Sequence, residues 1–151
     1  MHREVILAEI LQRIQTALFP LPVYRSRIDM LSKRETNTAI LMAGLEQMDN
    51  SRFNFVEHLL DVEVILVVRA SDLNAPADLE AMDLVKKFHP LLMELNPKSG
   101  KSDLRGLCGG IFFHSLSAPQ FEEGDMTLCS LTVGYQIKFA TSPINLEKPL
   151  Y

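Results

Sequence analysis

The chain has 151 residues, 47% of them hydrophobic and 23% charged, with a formal net charge of −4. That length and balance describe one globular domain able to bury a core without disulfides or metal, and the acidic balance argues against a duplex-binding protein, which is more often basic. The stretch 1–22 carries charges inside its apolar run and lacks the small-residue cleavage site of a signal peptide; no run approaches the length of a membrane span, so a soluble, cytoplasmic protein is expected.

In chain order, residues 3–18 place Leu7, Ile10, Leu11, Ile14, Ala17 and Leu18 three and four apart, which predicts a helix. The prolines at 20 and 22 end it. Residues 23–37 form a polar, basic connector with room for a short strand at its start. A strand is predicted at 38–49, a turn at 49–54 and a long strand at 55–71. On that strand His58, Leu60, Val62, Val64, Leu66 and Val68 share one face. Leu59, Asp61, Glu63, Ile65, Val67 and Arg69 share the other. A second helix is predicted at 72–95, capped by Asp72 or Asn74, with Pro76 in its first turn and Asp78 and Glu80 at its positive end. Its stripe reads Leu79, Met82, Val85, Phe88, Leu92 and Leu95, and Pro90 should kink or restart it. Residues 109–118 read as a strand entered through a glycine bend, and 119–125 as a turn. Residues 127–141 alternate: Cys129, Leu131, Val133, Tyr135, Ile137 and Phe139 face one way, and Leu128, Ser130, Thr132, Gly134, Gln136 and Lys138 the other. The tail 142–151 has two prolines and no period, so an extended segment is expected.

Strands arriving in pairs with only two helices predict an α+β fold in the broad α/β class. It is a two-layer sandwich, a mostly antiparallel or mixed four-stranded sheet with both helices on one face. Residues 1–151 form a single domain. Val62, Val64, Leu66, Leu131, Val133, Ile137 and Phe139 are expected to point at the helices.

The triplet Gly100-Lys101-Ser102 matches the end of a phosphate-binding loop, but the glycine required five residues earlier is Leu95, and the segment follows a helix rather than a strand. A solvated basic turn is expected. His2, His58, His89 and His114 are scattered and not at metal-ligand spacing; His58 and His114 are expected at surface or half-buried strand positions. Glu122 and Glu123 read as a solvated turn, and Ser115 and Ser117 near His114 form no nucleophile elbow. Cys108 and Cys129 read as small buried side chains, or as a cross-strand bridge in an oxidising compartment. No catalytic, cofactor or metal signature is present, so a non-enzymatic protein is expected.

Four stretches in order carry a resemblance: the N-terminal helix followed by "VYRSR", the long strand "LLDVEVILVVRASD", the helix interior "LEAMDLVKKFHPLLMEL" and the closing "SLTVGYQIKFAT". Together they span most of 3–141, and the chain resembles the tail terminator proteins of long-tailed bacteriophages, of the lambda minor tail protein type. It departs from the pattern at "KSGKSDLRGLCGG", which is longer and more basic, and in its last ten residues.

The resemblance implies a structural assembly protein of a phage or prophage virion tail, assembled in the host bacterial cytoplasm. It implies a homo-oligomer, a hexameric ring at the head-proximal end of the tail tube. That ring ends tube polymerisation and offers a surface for head joining. The implied partners are the tail tube protein and a head completion or connector protein, with DNA passing through the lumen without specific binding. Ile65 and Val67 lie on the face away from the helices and want cover, either from a neighbouring subunit or from the segment 26–37. Ile65, Val67, Arg69, Gln136 and Lys138 are therefore the expected oligomer interface, and Arg25, Arg27, Lys98, Lys101 and Arg105 the expected partner-contact loops. Another head–tail joining protein and a small-molecule-binding α+β domain are the competing readings.

Overall fold

The computed structural model describes residues 2–26, 37–70, 76–122, 128–146 and 148–149. They form α1 (His2–Leu18), β1 (Val23–Arg25), β2 (Asn37–Asp49), β3 (Val56–Arg69), α2 (Ala77–Leu92), β4 (Gly110–Leu116), β5 (Gln120–Glu122) and β6 (Leu128–Thr141). The fold is α+β: an open, mixed sheet with both helices packed on one face. It has six strands where four were expected.

The centre of the sheet is the antiparallel pair β3–β6, in register from Val56 opposite Thr141 to Arg69 opposite Leu128. Period-two sequence makes this pairing one-sided. Leu60, Val62, Val64 and Leu66 face the same side as Ile137, Tyr135, Val133 and Leu131 opposite them, and all are essentially solvent-free. Each such side chain contributes about 1.5–3 kcal/mol by leaving water. β2 joins the other side of β3, with a register shift between Ala43 and Glu46. β1 adds three residues to β2 in parallel, which makes the sheet mixed.

β4 pairs with β6 from Gly110 opposite Lys138 to Leu116 opposite Val133, and the register shifts between Phe113 and Ser115. There Ser115 Oγ packs over Gly134, and a Cβ at 134 would force that hydroxyl to turn away. β5 occupies part of the segment expected to be a turn. It pairs with β6 at Ser130, Cys129 and Leu128, where hydrogen bonding to an adjacent strand extends a three-residue run with little strand signal of its own.

α1 buries His2, Ile6, Leu7, Ile10, Ile14 and Leu18, close to the expected stripe. α2 is shorter than expected, starting after Pro76 and ending at Leu92 two residues past Pro90. Its buried face is Ala77, Ala81, Val85, Phe88 and Leu92; Leu79 and Leu95 are exposed. Small alanines let the first turns lie close to the sheet and turn Leu79 outward. Arg13 ties the two helices together: it donates to the Leu91 carbonyl at 2.8 Å and pairs with Glu9 at 2.8 Å and Glu94 at 3.5 Å. The expected caps Asp72 and Asn74 lie outside the described residues. The described part of the tail turns back, with Ser142 N–H donating to the Lys148 carbonyl at 3.2 Å.

Val133 is fully buried against the helices. Val133→Asp would place a carboxylate there at a cost of several kcal/mol, a large part of the roughly 5–15 kcal/mol that holds a domain folded. Circular dichroism should find it unfolded or melting far lower; an unchanged melting temperature would contradict the register.

Candidate functional site

The outer face of the sheet, away from the helices, was the expected interface. Ile65 and Val67 are half-buried there, opposite Ile40 and Thr38 on β2, which are themselves buried. The segment 27–36 lies outside the described residues. Arg69 is half-buried, and its N–H donates to Asn37 Oδ1 at 3.2 Å. Gln136 and Lys138 do not join this patch. They pair with Asp61 and Leu59, so four or more rungs at about 3.3 Å each separate them from Ile65. Gln136 donates to Asp61 Oδ1 at 3.1 Å, and Lys138 pairs with Glu57 at 3.0 Å. That end of the outer face is a polar surface bonded to itself.

The basic residues are likewise separated. Arg25 pairs with Glu4 in the first turn of α1 at 2.7 Å, and Arg105 with Glu94 beyond α2 at 3.7 Å. Glu4 is held below the usual carboxylate range, first by the hydrogen bond from Arg25. Lys98 and Lys101 are exposed, and Arg27 lies outside the described residues.

The loop carrying Gly100-Lys101-Ser102 is folded around Asp103, which is buried. Its Oδ2 accepts from Ser99 Oγ at 2.7 Å and Asn96 Nδ2 at 3.3 Å, and its Oδ1 accepts from Gly106 N–H at 2.9 Å. Burial pushes the Asp103 carboxyl up, but these hydrogen bonds outweigh it and leave the group below its usual value. The N–H groups of Gly100 and Lys101 already bond Asn96 O and Ser99 Oγ, and Ser102 Oγ donates to Met93 O at 2.7 Å. The donors a phosphate cradle would need are therefore spent inside the loop. Leu104, at a φ of 54°, buries its side chain in the core and anchors the loop.

A buried polar cluster sits under the far end of β2. His58, expected at a surface or half-buried position, is buried because its strand face is the helix side. Its ring stacks on Phe139 at 4.5 Å, and its Nε2 shares a hydrogen bond of 2.7 Å with Thr141 Oγ1. Glu46 Oε2 is 3.8 Å from Nδ1, close enough for attraction but too far for a hydrogen bond. His2 meets Phe139 edge-on, and its Nε2 bonds the Leu107 carbonyl at 3.0 Å. Burial lowers the pKa of both histidines, against the opposing pull of Glu46 on His58 and of the Leu107 carbonyl on His2. Cys108 and Cys129 are both free and buried; burial pushes the Cys108 thiol up to about 11 and Cys129 upward as well. Among the described residues no group of three or more His, Cys, Asp or Glu could hold a metal ion, and no helix is long and apolar enough to cross a membrane.

A group of exposed apolar side chains on the sheet is one the sequence reading missed. β3 covers one side of β6 along its whole length, so β4 and β5 both lie on the other side and together form an edge. Phe113, Leu116 and Phe121 are opposite Tyr135, Val133 and Cys129, so they belong to the helix side; Phe112, opposite Gln136, belongs to the outer side. α2 lies across β3 and β6, and all four side chains stay between two-fifths and three-fifths exposed. Phe113 packs edge-on against His89 and Tyr135. The signal was available: between Arg105 and Glu122 the sequence contains no Asp, Glu, Lys or Arg. Exposed aromatics without charges are the composition of an interface core rather than of ordinary surface.

Compared with known protein families, the chain matches no family model, and no curated protein matches it.

Asp103→Ala should destabilise the domain by about 1.5–3 kcal/mol, because it removes the charged acceptor of three hydrogen bonds that fold the loop. Lys101→Ala should change stability by less than about 0.5 kcal/mol and leave calorimetric titration with magnesium and ATP flat before and after. The histidines give a pH dependence. Their folded pKa values lie below the ordinary 6.5, so the unfolded chain binds protons first. Their stabilising contribution is present above about pH 6.5 and is lost as pH falls through the folded values. Urea unfolding at pH 7.5 and 5.5 should show the drop, and His58→Gln should make it smaller.

Proposed function

We propose that the protein is a non-enzymatic assembly protein of a bacteriophage or prophage tail, of the tail terminator type. In this reading it forms a ring, a hexamer, on the head-proximal end of the tail tube, stops tube polymerisation and offers the surface on which the head joins. It belongs to the virion tail, and DNA passes through the ring without specific contacts. The tube protein and a head completion protein are its partners.

The observation that carries the reading is the β4–β5 edge. Phe113, Leu116 and Phe121 form an exposed apolar ledge on its helix side, with Phe112 exposed on its outer side, on a stretch without charged residues. A small-molecule site would be a concave, mainly apolar cleft with a few convergent polar groups; an exposed sheet edge is suited to a flat macromolecular contact. The resemblance read from the sequence adds the identity of the contact, and the α–β–β–β–α–β–β–β order is compatible with it.

The test is Phe121→Lys. Phe121 is more than half exposed on a three-residue strand, so the variant should fold with stability changed by about 0.5 kcal/mol. A charge in the centre of an interface would be buried unpaired and is expensive. Negative-stain microscopy with tail tubes should show rings at one tube end for the unchanged protein and bare, overlong tubes for the folded variant. Normal capping by the variant removes the edge from the contact, and no ring with the unchanged protein removes the tail terminator reading.

A further inference from the structure

Among the described residues the open sheet has a second free edge, and the geometry points to it as the acceptor for β4 of a neighbouring copy. β1 pairs with β2 only at Ala39, Ile40 and Leu41, after which Ser26 N–H closes the pairing on Leu41 O. Among the described residues nothing pairs with that side of β2 over 42–49. Leu45 and Met48, both more than half exposed, stand on this stretch. It resembles β4 beyond Ile111, whose N–H is already bonded to the Ser102 carbonyl at 2.7 Å: from Phe112 to Leu116 backbone groups lie on an outer edge with exposed apolar side chains beside them. Unpaired edges of this sort bind another strand.

Strand direction selects the occupant. β2 is antiparallel to β3, β3 to β6, and β6 to β4. Three reversals make β4 run opposite to β2. Two copies set side by side in the same orientation therefore meet β4 against β2 in the antiparallel sense, the better-bonded ladder. The two edges are different surfaces at opposite ends of one sheet. A contact between them is head-to-tail, and repeating it gives a ring when the rotation between copies closes, as the ring reading requires. A second copy of this chain uses both edges; any other partner leaves at least one open. This assignment rests on the ring reading above and names the contact that would build it.

Disulfide trapping tests it. His114 is exposed at the register shift of β4, and Gln47 is exposed on the free stretch of β2. The native thiols Cys108 and Cys129 are buried with raised pKa values, so they stay unreactive under mild oxidation. The chain carrying both His114→Cys and Gln47→Cys should give a ladder of cross-linked oligomers ending at the ring size, while each single variant stays uncross-linked. Sedimentation of the unchanged protein, alone and with tail tubes, runs in parallel. Rings without cross-links overturn the edge assignment and leave the ring reading standing. Dimers from one single variant also overturn it, because they signal a two-fold contact of like surfaces. Cross-linking of β4 to tube protein instead of to β2 does the same. A protein that never assembles overturns the ring reading as well.

Discussion

The structure depends on the pairing of β3 with β6. Fourteen-residue strands bonded along their whole length set one face of alternating apolar side chains, and every other element is placed by that face or by its borders. α1 and α2 cover it, held to one another by Arg13 at the carbonyl of Leu91. β2 extends it on one side and β4 and β5 on the other. The sheet is open, and among the described residues its two lateral edges remain as surfaces. The chain thus has one well-covered core and two unlike edges.

Polar groups inside this frame act mainly as fasteners. Asp103 gathers Asn96, Ser99 and Gly106 and so turns a glycine-containing basic loop into a fixed structure whose donors face inward. His89 bonds the buried hydroxyl of Tyr135 at 2.7 Å and ties α2 to β6 next to the aromatic edge. His58 and Glu46 sit where β2 shifts register against β3. The attraction between them spans 3.8 Å, with His58 Nδ1 and Glu46 Oε1 without hydrogen-bond partners among the described residues. Burial favours the neutral imidazole, and the carboxylate opposes this only in part.

The central strands and α1 were legible in the sequence because their apolar residues follow the periods of strand and helix without interruption. The α+β class and the one-sided helix layer followed from element order. α2 was read in the right place and with Val85, Phe88 and Leu92 of its buried face, but Leu79 and Leu95 point outward while Ala77 and Ala81 point inward. A hydrophobic stripe through Leu79 and Leu95 scores better than one through Ala77 and Ala81, yet close approach to the sheet favours the small residues. β5 was illegible because three residues beside a turn become a strand only when Leu128–Ser130 bond to them. His58 was misjudged since the polarity of the ring outweighed its even position on β3. The outer-face interface was drawn from residues that share a face but not a neighbourhood: Gln136 lies opposite Asp61, several rungs from Ile65. The edge was missed for the opposite reason. A strand containing Phe112, Phe113 and Leu116 reads as core, and only the extent of α2 reveals that the sheet outgrows its cover.

In the proposed ring the two lateral edges of the sheet carry the contacts between copies. Hydrogen–deuterium exchange on dilute protein and on protein assembled with tail tubes measures this residue by residue, because an amide at a free edge is protected only when a strand joins it. Assembly should slow exchange in Gly110–Leu116 and in 42–49 together, with β3 and the loop around Asp103 unchanged. Slowing at that loop or on the outer face, with both edges exchanging as before, would contradict the account.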